Sequence, residues 1–200
     1  VLGPLYYIRG RYGHGGRPGY ESEWRAAPEI SGGGQLLDQG AHLIDLSLWY
    51  FGKPFTRIAG DLVTYYWDMP VEDNAFLTCA TESNQIAHLH VSWTEWKNLF
   101  SFEITGRDAK LHIEGLGGSY GTERLAVYQM RPEMGPPDTT IYEYPGSDQS
   151  WKKEYLQFLD DIEQQRDTEP NLTSTSHVLS VIEKVYQAHQ VPWLPSAAKL

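Results

Sequence analysis

Asp38 and His42 lie one helical turn apart and have the residue types that proton transfer requires. A histidine titrates near neutral pH, and a carboxylate four residues away on a helix can orient its ring and stabilise the protonated form. Asp45 follows three residues later on the same helical face, where we expect a supporting role. An ordinary surface Asp-His pair and a buried histidine satisfied by a neighbour have the same spacing, so spacing alone leaves these alternatives open.

A metal-binding site is a second interpretation of the same residues. Asp38, His42 and Asp45 offer oxygen and nitrogen donors, but three ligands spread over two helical turns fit one ion poorly. His88 and His90 are two residues apart in a predicted strand and therefore share a side, yet no third ligand lies nearby in the sequence. We therefore predict no metal site.

A loop rich in glycine and proline precedes this helix and carries hydrogen-bond donors and aromatic rings. Such side chains can bind a polar ligand such as a sugar, although a surface connection anchored by one Trp is the alternative. The candidate substrate-binding residues are Arg11, His14, Arg17, Tyr20, Trp24 and Arg25. The arginines among them favour an anionic ligand, such as a sugar phosphate, a uronate or a nucleotide-linked sugar.

The helix that must position Asp38 and His42 is predicted to run from Gly33 to Phe51, because apolar residues recur there at helical spacing. Gly52 ends it, and Pro54 follows as a breaker. Elsewhere, runs of β-branched and aromatic residues are separated by turn-prone Asn, Asp, Gly and Pro. These runs predict strands at residues 5–12, 56–67, 75–81, 85–93, 99–106, 110–113, 125–130 and 139–144.

Short connections between these strands predict an α+β fold, with a largely antiparallel open sheet that has helices on one face. Apolar residues at helical spacing in 151–162 and 178–189 predict two further helices. We expect a single domain over 1–200, in which 1–146 forms the helix-containing sheet region and 147–200 the terminal helices and tail. An uncovered sheet face rich in Tyr, Trp and Val would suit association into an oligomer.

Composition bounds the function. Two hundred residues with 40% hydrophobic side chains can build a real core, and a formal net charge of -10 argues against a nucleic-acid partner. No apolar run is long enough to span a membrane, and no leader is readable. A single cysteine, Cys79, cannot form an internal disulfide. These features predict a cytoplasmic protein without a membrane partner.

The glycine-rich run at 115–121 is superficially similar to a phosphate-binding loop. No helical pattern follows it, and no acidic residue stands at a strand end about 20 residues later, so a hairpin or surface loop is the preferred interpretation. No dinucleotide fingerprint occurs elsewhere in these residues. We therefore expect no cofactor-binding residues in this chain.

Residues 32–45 resemble the GGGxLxDxGxHxxD signature in the second domain of the glucose-fructose oxidoreductase, inositol dehydrogenase and rhizopine catabolism (Gfo/Idh/MocA) family. The similarity continues through Trp24-Arg25 before the motif and through Trp49 and Gly52 after it. Ser92-Trp93 and residues 102–106 stand where that family has later sheet strands. The resemblance therefore covers nearly the whole chain.

The resemblance implies an NAD(P)-dependent oxidoreductase that acts on a sugar, sugar derivative or cyclitol, usually as a homodimer or homotetramer that associates through the open sheet face. It implies a carboxy-terminal domain like those of glyceraldehyde-3-phosphate dehydrogenase and dihydrodipicolinate reductase. By motif position, Asp38 and His42 match the catalytic aspartate and histidine, and Asp45 matches the last acidic position. His42 is then the group that exchanges a proton with the reacting hydroxyl.

The chain departs from the family pattern because the Rossmann fingerprint and the Glu-Lys-Pro motif are both absent. It resembles the carboxy-terminal substrate and oligomerisation domain alone, and NAD or NADP would be bound by an amino-terminal domain that is missing here. We therefore expect this fragment to be inactive by itself. An NAD-dependent glycosidase of the same family, a non-catalytic dimerisation or binding module, and a metal-dependent enzyme remain as alternatives.

Overall fold

The structure is a computed structural model that describes residues 1–168 and 171–191. Eight strands in these residues form one sheet, in the order β2-β3-β4-β1-β5-β6-β7-β8. They are β1 (Leu5–Gly13), β2 (Phe55–Val63), β3 (Asn74–Thr81), β4 (Ile86–Ser92), β5 (Leu99–Gly106), β6 (Ala109–Glu114), β7 (Glu123–Gln129) and β8 (Asp138–Tyr144). The predicted tail lies outside the described residues from position 192 onward.

Neighbouring strands of the sheet are antiparallel with one exception. The central strand β1 runs parallel to β4 and antiparallel to β5, so that Ile8 pairs with Ala87 on one side and with Ile104 on the other. Alternation along β1 places Ile8, Gly10 and Tyr12 towards the helices and Arg9 and Arg11 on the opposite face. The predicted α+β fold with a largely antiparallel open sheet is confirmed.

The helix predicted from Gly33 to Phe51 begins differently in the structure. A short helix, α1 (Pro28–Ser31), precedes the glycines, and a π-helical segment, Leu36–Gly40, leads into α2 (Ala41–Phe51). The three glycines at 32–34 are outside regular helix: Gly32 has a positive φ of 79°, and the Gly34 N–H donates to the distant Tyr186 hydroxyl. As predicted, α2 ends at Gly52, which has a positive φ of 62°.

The core lies between the sheet and two helices, α2 and α4 (Leu172–Ala188). Leu43 and Ile44 of α2 are fully buried against β1 and its neighbours. From α4, Val181, Ile182 and Val185 add to the same cluster. The side chain of Asn171 caps α4 by accepting hydrogen bonds from the backbone N–H groups of residues 173 and 174.

Helix α3 (Ser150–Glu163) differs from α2 and α4 because its apolar stripe is not buried. Its large apolar side chains are between 43% and 80% exposed: Trp151, Tyr155, Leu156, Phe158, Leu159 and Ile162. The predicted helix is therefore present, but the described residues do not cover its apolar face. Among the described helices, none has both the length and the apolarity needed to cross a bilayer.

Candidate active site

The candidate site lies at the carboxyl end of β1, where Tyr12 faces the helical side of the sheet. The Tyr12 ring packs against the His42 ring of α2, with 6.1 Å between centroids. It also contacts Tyr120 edge-on at 5.3 Å. Burial and the neighbouring Tyr120 hydroxyl raise the pKa of Tyr12 to about 12, so its hydroxyl stays protonated at neutral pH and can donate a hydrogen bond.

Asp38 projects from the π-helical segment towards Arg25. The Arg25 Nε lies 3.6 Å from Asp38 Oδ2, and the Arg25 guanidinium stacks over the Trp24 ring at 4.5 Å. These groups line a cavity of about 190 Å³ together with Trp93. A cationic donor, a carboxylate and an aromatic face therefore meet in one small cavity, which suits a polar ligand with an apolar face.

Asp38 and His42 do not bond to each other in the structure. Over residues 1–168 and 171–191, no hydrogen bond or ion pair joins the carboxylate to the imidazole, since Asp38 pairs with Arg25 and the His42 ring packs on Tyr12. His42 is exposed, so its ring is open to a ligand. The expected orientation of His42 by Asp38 is thus not made directly, although the two residues remain one turn apart.

Tyr120 and Gln39 link the site to the interior. Gln39 lies in the π-helical segment, and its Nε2 donates to the Tyr120 hydroxyl at 3.4 Å while its Oε1 accepts a hydrogen bond from Gln35. Gln35 is fully buried and Gln39 nearly so. Tyr120 is thereby held beside Tyr12 by the same segment that carries Asp38.

Buried Glu72 holds residues 32–36, called the glycine turn, in place by hydrogen bonds. Glu72 Oε1 accepts hydrogen bonds from the Leu36 N–H and from the Tyr186 hydroxyl of α4, both at 2.9 Å. A Cβ added to Gly34 would lie 2.3 Å from the Glu72 carbonyl oxygen, so only glycine permits this approach. Burial raises the pKa of Glu72 above its ordinary value.

An aromatic cluster borders the site on the loop side. Tyr20 packs edge-on against Trp93 at 5.0 Å and at a tilt of 49° against Trp67 at 5.6 Å. The Trp67 indole N–H donates to the Trp93 carbonyl at 3.0 Å. The His14 ring contacts Tyr20 at 5.7 Å, and burial lowers the pKa of His14. His14 is therefore mainly neutral at pH 7, which suits hydrogen bonding better than ion pairing.

The structure separates the predicted substrate-binding residues into groups. Trp24 and Arg25 join Asp38 at the small cavity, and His14 and Tyr20 belong to the adjoining aromatic cluster. Arg17 lies further out, where it pairs with Glu23 at 2.7 Å. Arg11 projects from the opposite face of the sheet, and a cavity there is lined by Arg9, Arg11, Asp61, Phe76, His88 and His90.

Asp45 faces away from Asp38 and His42. It lines a separate cavity between α2 and α4 with Trp49, Lys53 and His177. In the described residues Asp45 makes no hydrogen bond or ion pair with Asp38 or His42, so the supporting role expected for it stays a sequence-based prediction.

The paired histidines of β4 make hydrogen bonds within the sheet. His88 Nδ1 lies 3.1 Å from the Thr78 hydroxyl, and His90 Nε2 lies 3.0 Å from Asn74 Oδ1. In the part of the chain that the structure describes, no cluster of three His, Cys, Asp or Glu side chains is arranged to hold a metal ion.

The glycine-rich segments do not fit a dinucleotide. The N–H groups of Gly34, Gln35 and Leu36 are used by Tyr186 and Glu72, and a Cβ on Gly33 would lie 2.2 Å from the Tyr186 hydroxyl, so no space remains for a pyrophosphate. The run at 115–121 is followed by β7 rather than by a helix, as predicted for a surface loop.

Sequence reasoning missed Tyr12, Gln39, Glu72 and Tyr120 as members of the site or its support. Strand alternation signals that Tyr12 and Arg11 face opposite ways, but it does not say which face meets the helices. Tyr120 lies in the glycine-rich run at 115–121, which the sequence indicates to be a hairpin or surface loop, so its contact with Tyr12 is not predicted. Glu72 gives no local signal, because its burial shows only in the folded chain, where distant groups of Leu36 and Tyr186 bond to it.

The sequence model of the GFO/IDH/MocA C-terminal domain matches residues 1–112. The fold is similar to aldose-aldose oxidoreductase from Caulobacter crescentus, complexed with glycerol (TM-score 0.77, 19% identity, 94% of this chain and 54% of that chain). It is also similar to levoglucosan dehydrogenase in complex with NADH and levoglucosan (0.80, 17%, 94% and 57%). A third similar structure is UDP-N-acetylglucosamine 3-dehydrogenase from Acidithiobacillus ferrooxidans (0.72, 16%, 94% and 54%).

A search of the curated proteins found no match. The chain shares its fold with these sugar oxidoreductase structures and spans only about half of their length.

Proposed function

Because this chain belongs to the GFO/IDH/MocA C-terminal domain family, we propose that it is the substrate-binding part of a nicotinamide-dependent oxidoreductase that acts on a sugar, sugar derivative or cyclitol. The observation that supports this most directly is the convergence of four polar groups: Tyr12 packs against His42 and Tyr120, and Asp38, which lines the small cavity, acts electrostatically on both tyrosine hydroxyls. These groups come from β1, the π-helical segment, α2 and the loop at 115–121. Hydrogen-bond donors and acceptors next to aromatic faces are what a polyhydroxyl ligand requires.

In this proposal His42 removes the proton from the reacting hydroxyl while the carbon loses hydride. Its ring is exposed to the ligand and supported on one side by Tyr12. Tyr12 and Tyr120 donate hydrogen bonds to neighbouring substrate oxygens, since burial keeps both hydroxyls protonated by raising their pKa values. Asp38 holds Arg25 at the cavity and contributes negative charge near the proton acceptor.

The N–H groups of Gly34, Gln35 and Leu36 are used by Tyr186 and Glu72, so this turn offers no cradle for the hydride acceptor, NAD or NADP. A separate nucleotide-binding domain would hold it, as the similar structures are nearly twice the length of this chain. The protein that carries this domain would form a homodimer or homotetramer through the open face of the sheet.

The test is turnover of the protein that carries this domain together with its cofactor domain. His42→Ala should lower kcat about 10²–10⁴-fold, which is the usual contribution of a positioned acid-base group, and should leave NADH binding unchanged. His88→Ala, on the opposite face of the sheet, is the matched control and should retain activity. Near-normal turnover of His42→Ala would overturn the proposal.

A glycosidase of the same family would use the same residues for transient oxidation. Product analysis with a glycoside separates the two outcomes, because a glycosidase releases the aglycone without net formation of NADH. Retained catalysis in an Asp38→Asn/His42→Ala double variant would instead favour a non-catalytic binding module.

A further inference from the structure

A second and larger cleft lies at the same end of the sheet as the candidate active site. Its volume is about 530 Å³, and it is formed by the segments that follow β1, β2 and β4. These three strands point the same way, so their carboxyl ends meet at one edge. The lining residues used below are Gly15, Gly16, Arg17, Tyr66, Asp68 and Trp96.

Two aromatic rings stand exposed in this cleft. Tyr66 and Trp96 are each 62% exposed, and their ring centroids are 4.8 Å apart at an angle of 83°. Tyr66 is also braced edge-on by the buried Trp67 at 5.0 Å. Large aromatic side chains that are held in place but left open to solvent are a feature of ligand-binding surfaces.

The backbone of the cleft is built around these rings. Trp96 has a positive φ of 56°, a conformation that is unfavourable for a bulky side chain and persists only where surrounding structure enforces it. A Cβ on Gly15 would lie 2.9 Å from the Trp96 Cα, and one on Gly16 would lie 2.5 Å from the Trp67 ring. The glycines therefore allow the loop to lie directly against both tryptophans.

The polar groups of the cleft select for a neutral ligand. Arg17 offers donors but is already paired with Glu23, and Glu21 and Asp68 add carboxylates. This lining repels a phosphate, whereas carboxylates accept hydrogen bonds from hydroxyl groups. A pyranose ring has an apolar C–H face that packs on an aromatic ring and a hydroxyl rim that bonds to carboxylates and guanidinium groups.

We propose that this cleft binds a neutral glycosyl unit, so that the substrate extends beyond a single sugar. The proposal rests on the proposed function for the reacting unit, which would lie in the small cavity beside Asp38. Trp67 lines this cleft and Trp93 lines the small cavity, and Tyr20 packs against both rings. A glycoside or oligosaccharide is therefore the class of ligand that the two cavities fit together.

The test uses the 200-residue chain labelled with 5-fluorotryptophan, whose seven tryptophans give separate fluorine signals. The Trp96 signal is assigned from Trp96→Phe. The chain is titrated with maltose, cellobiose, lactose and N,N′-diacetylchitobiose. At least one disaccharide should shift the Trp96 signal with saturation, and Tyr66→Ser should weaken that binding at least tenfold. The signals of Trp49 and Trp151, which are also exposed, are internal controls and should not move.

The proposal is overturned if none of the four disaccharides shifts the Trp96 signal, or if all exposed tryptophans respond alike. It is also overturned if the Trp96 signal moves with protein concentration alone, because the cleft would then be a contact between copies. Sugar binding at Trp96 together with full turnover of His42→Ala would support the glycosyl site in the cleft and reject the proposed function. Loss of turnover in His42→Ala without any response of the Trp96 signal to the sugars would support the proposed function and reject the glycosyl site in the cleft.

Discussion

Replacement of Glu72 tests whether one buried carboxyl group holds the glycine turn that precedes Asp38. Glu72 is only 3% exposed, and its Oε1 receives hydrogen bonds from the Leu36 N–H and the Tyr186 hydroxyl. In Glu72→Ala the Leu36 N–H loses its acceptor inside the protein. That unsatisfied group costs about 1–3 kcal/mol, and the lost bond to Tyr186 adds about 0.5–1.5 kcal/mol.

The expected loss of unfolding free energy is therefore roughly 1.5–4.5 kcal/mol. This is a large part of the about 5–15 kcal/mol that stabilises a typical domain. The matched variant Glu72→Gln retains an oxygen acceptor of nearly the same shape. We expect it to stay within about 1 kcal/mol of the parent chain near pH 5, because both buried donors keep a partner.

The pH dependence of stability separates the effect of the charge of Glu72 from the effect of its shape. Burial raises the folded-state pKa of Glu72 above the ordinary value of 4.5. A raised pKa gives stability that is fully present below the unfolded-state pKa and is lost as the pH rises through the folded-state pKa. The parent chain should thus lose stability relative to Glu72→Gln as the pH increases above 4.5, since the glutamine does not ionise.

Urea unfolding followed by tryptophan fluorescence measures these differences, at pH values from 5 to 8. A Glu72→Ala variant within 0.5 kcal/mol of the parent would refute the structural role of Glu72. Parallel pH profiles for the parent chain and Glu72→Gln would show that burial does not shift the ionisation of this group. The first of these results would remove the link between α4 and the turn that carries Asp38.

Two further predictions concern close packing. Gly34→Ala should cost roughly 1–3 kcal/mol or more in urea unfolding, because its Cβ meets backbone atoms of Glu72, whereas Gly146→Ala, with nothing within 4 Å, should be nearly neutral. The Cys79 thiol is fully buried and its pKa is raised by burial to about 12, so it should react with a disulfide reagent at pH 8 only when urea unfolds the chain. Rapid labelling of the native chain would contradict that burial.

The strands were predictable to a large extent because β-branched and aromatic runs mark them locally. The strand predicted at 99–106 is β5 as observed, and the one at 139–144 differs from β8 by one residue. The strand predicted at 56–67 ends at Val63 because the N–H groups of residues 65–67 donate to the Asp73 carboxylate instead of to a neighbouring strand. That carboxylate acts across the chain and leaves no local signal.

The helix that carries the candidate site shows where the local sequence pattern stops being sufficient. Apolar spacing indicated a helix through residues 33–51, and the carboxyl half of that helix is α2. Its start depends on Glu72 and Tyr186, which lie far away in sequence and hold the glycine turn. The spacing of Asp38 and His42 was likewise readable, but their separate partners, Arg25 and Tyr12, come from other elements.

The position of β1 at the centre of the sheet has a consequence for synthesis of the chain. Tyr7 pairs with Ile86 on one side and with Thr105 on the other, so both partners leave the ribosome roughly 80 and 100 residues later. At about 5–20 residues per second, β1 remains unpaired for roughly 4–20 s. During this interval both of its edges can pair with other chains, so nascent-chain aggregation and chaperone demand should depend more on β1 than on the edge strand β8 of the same sheet.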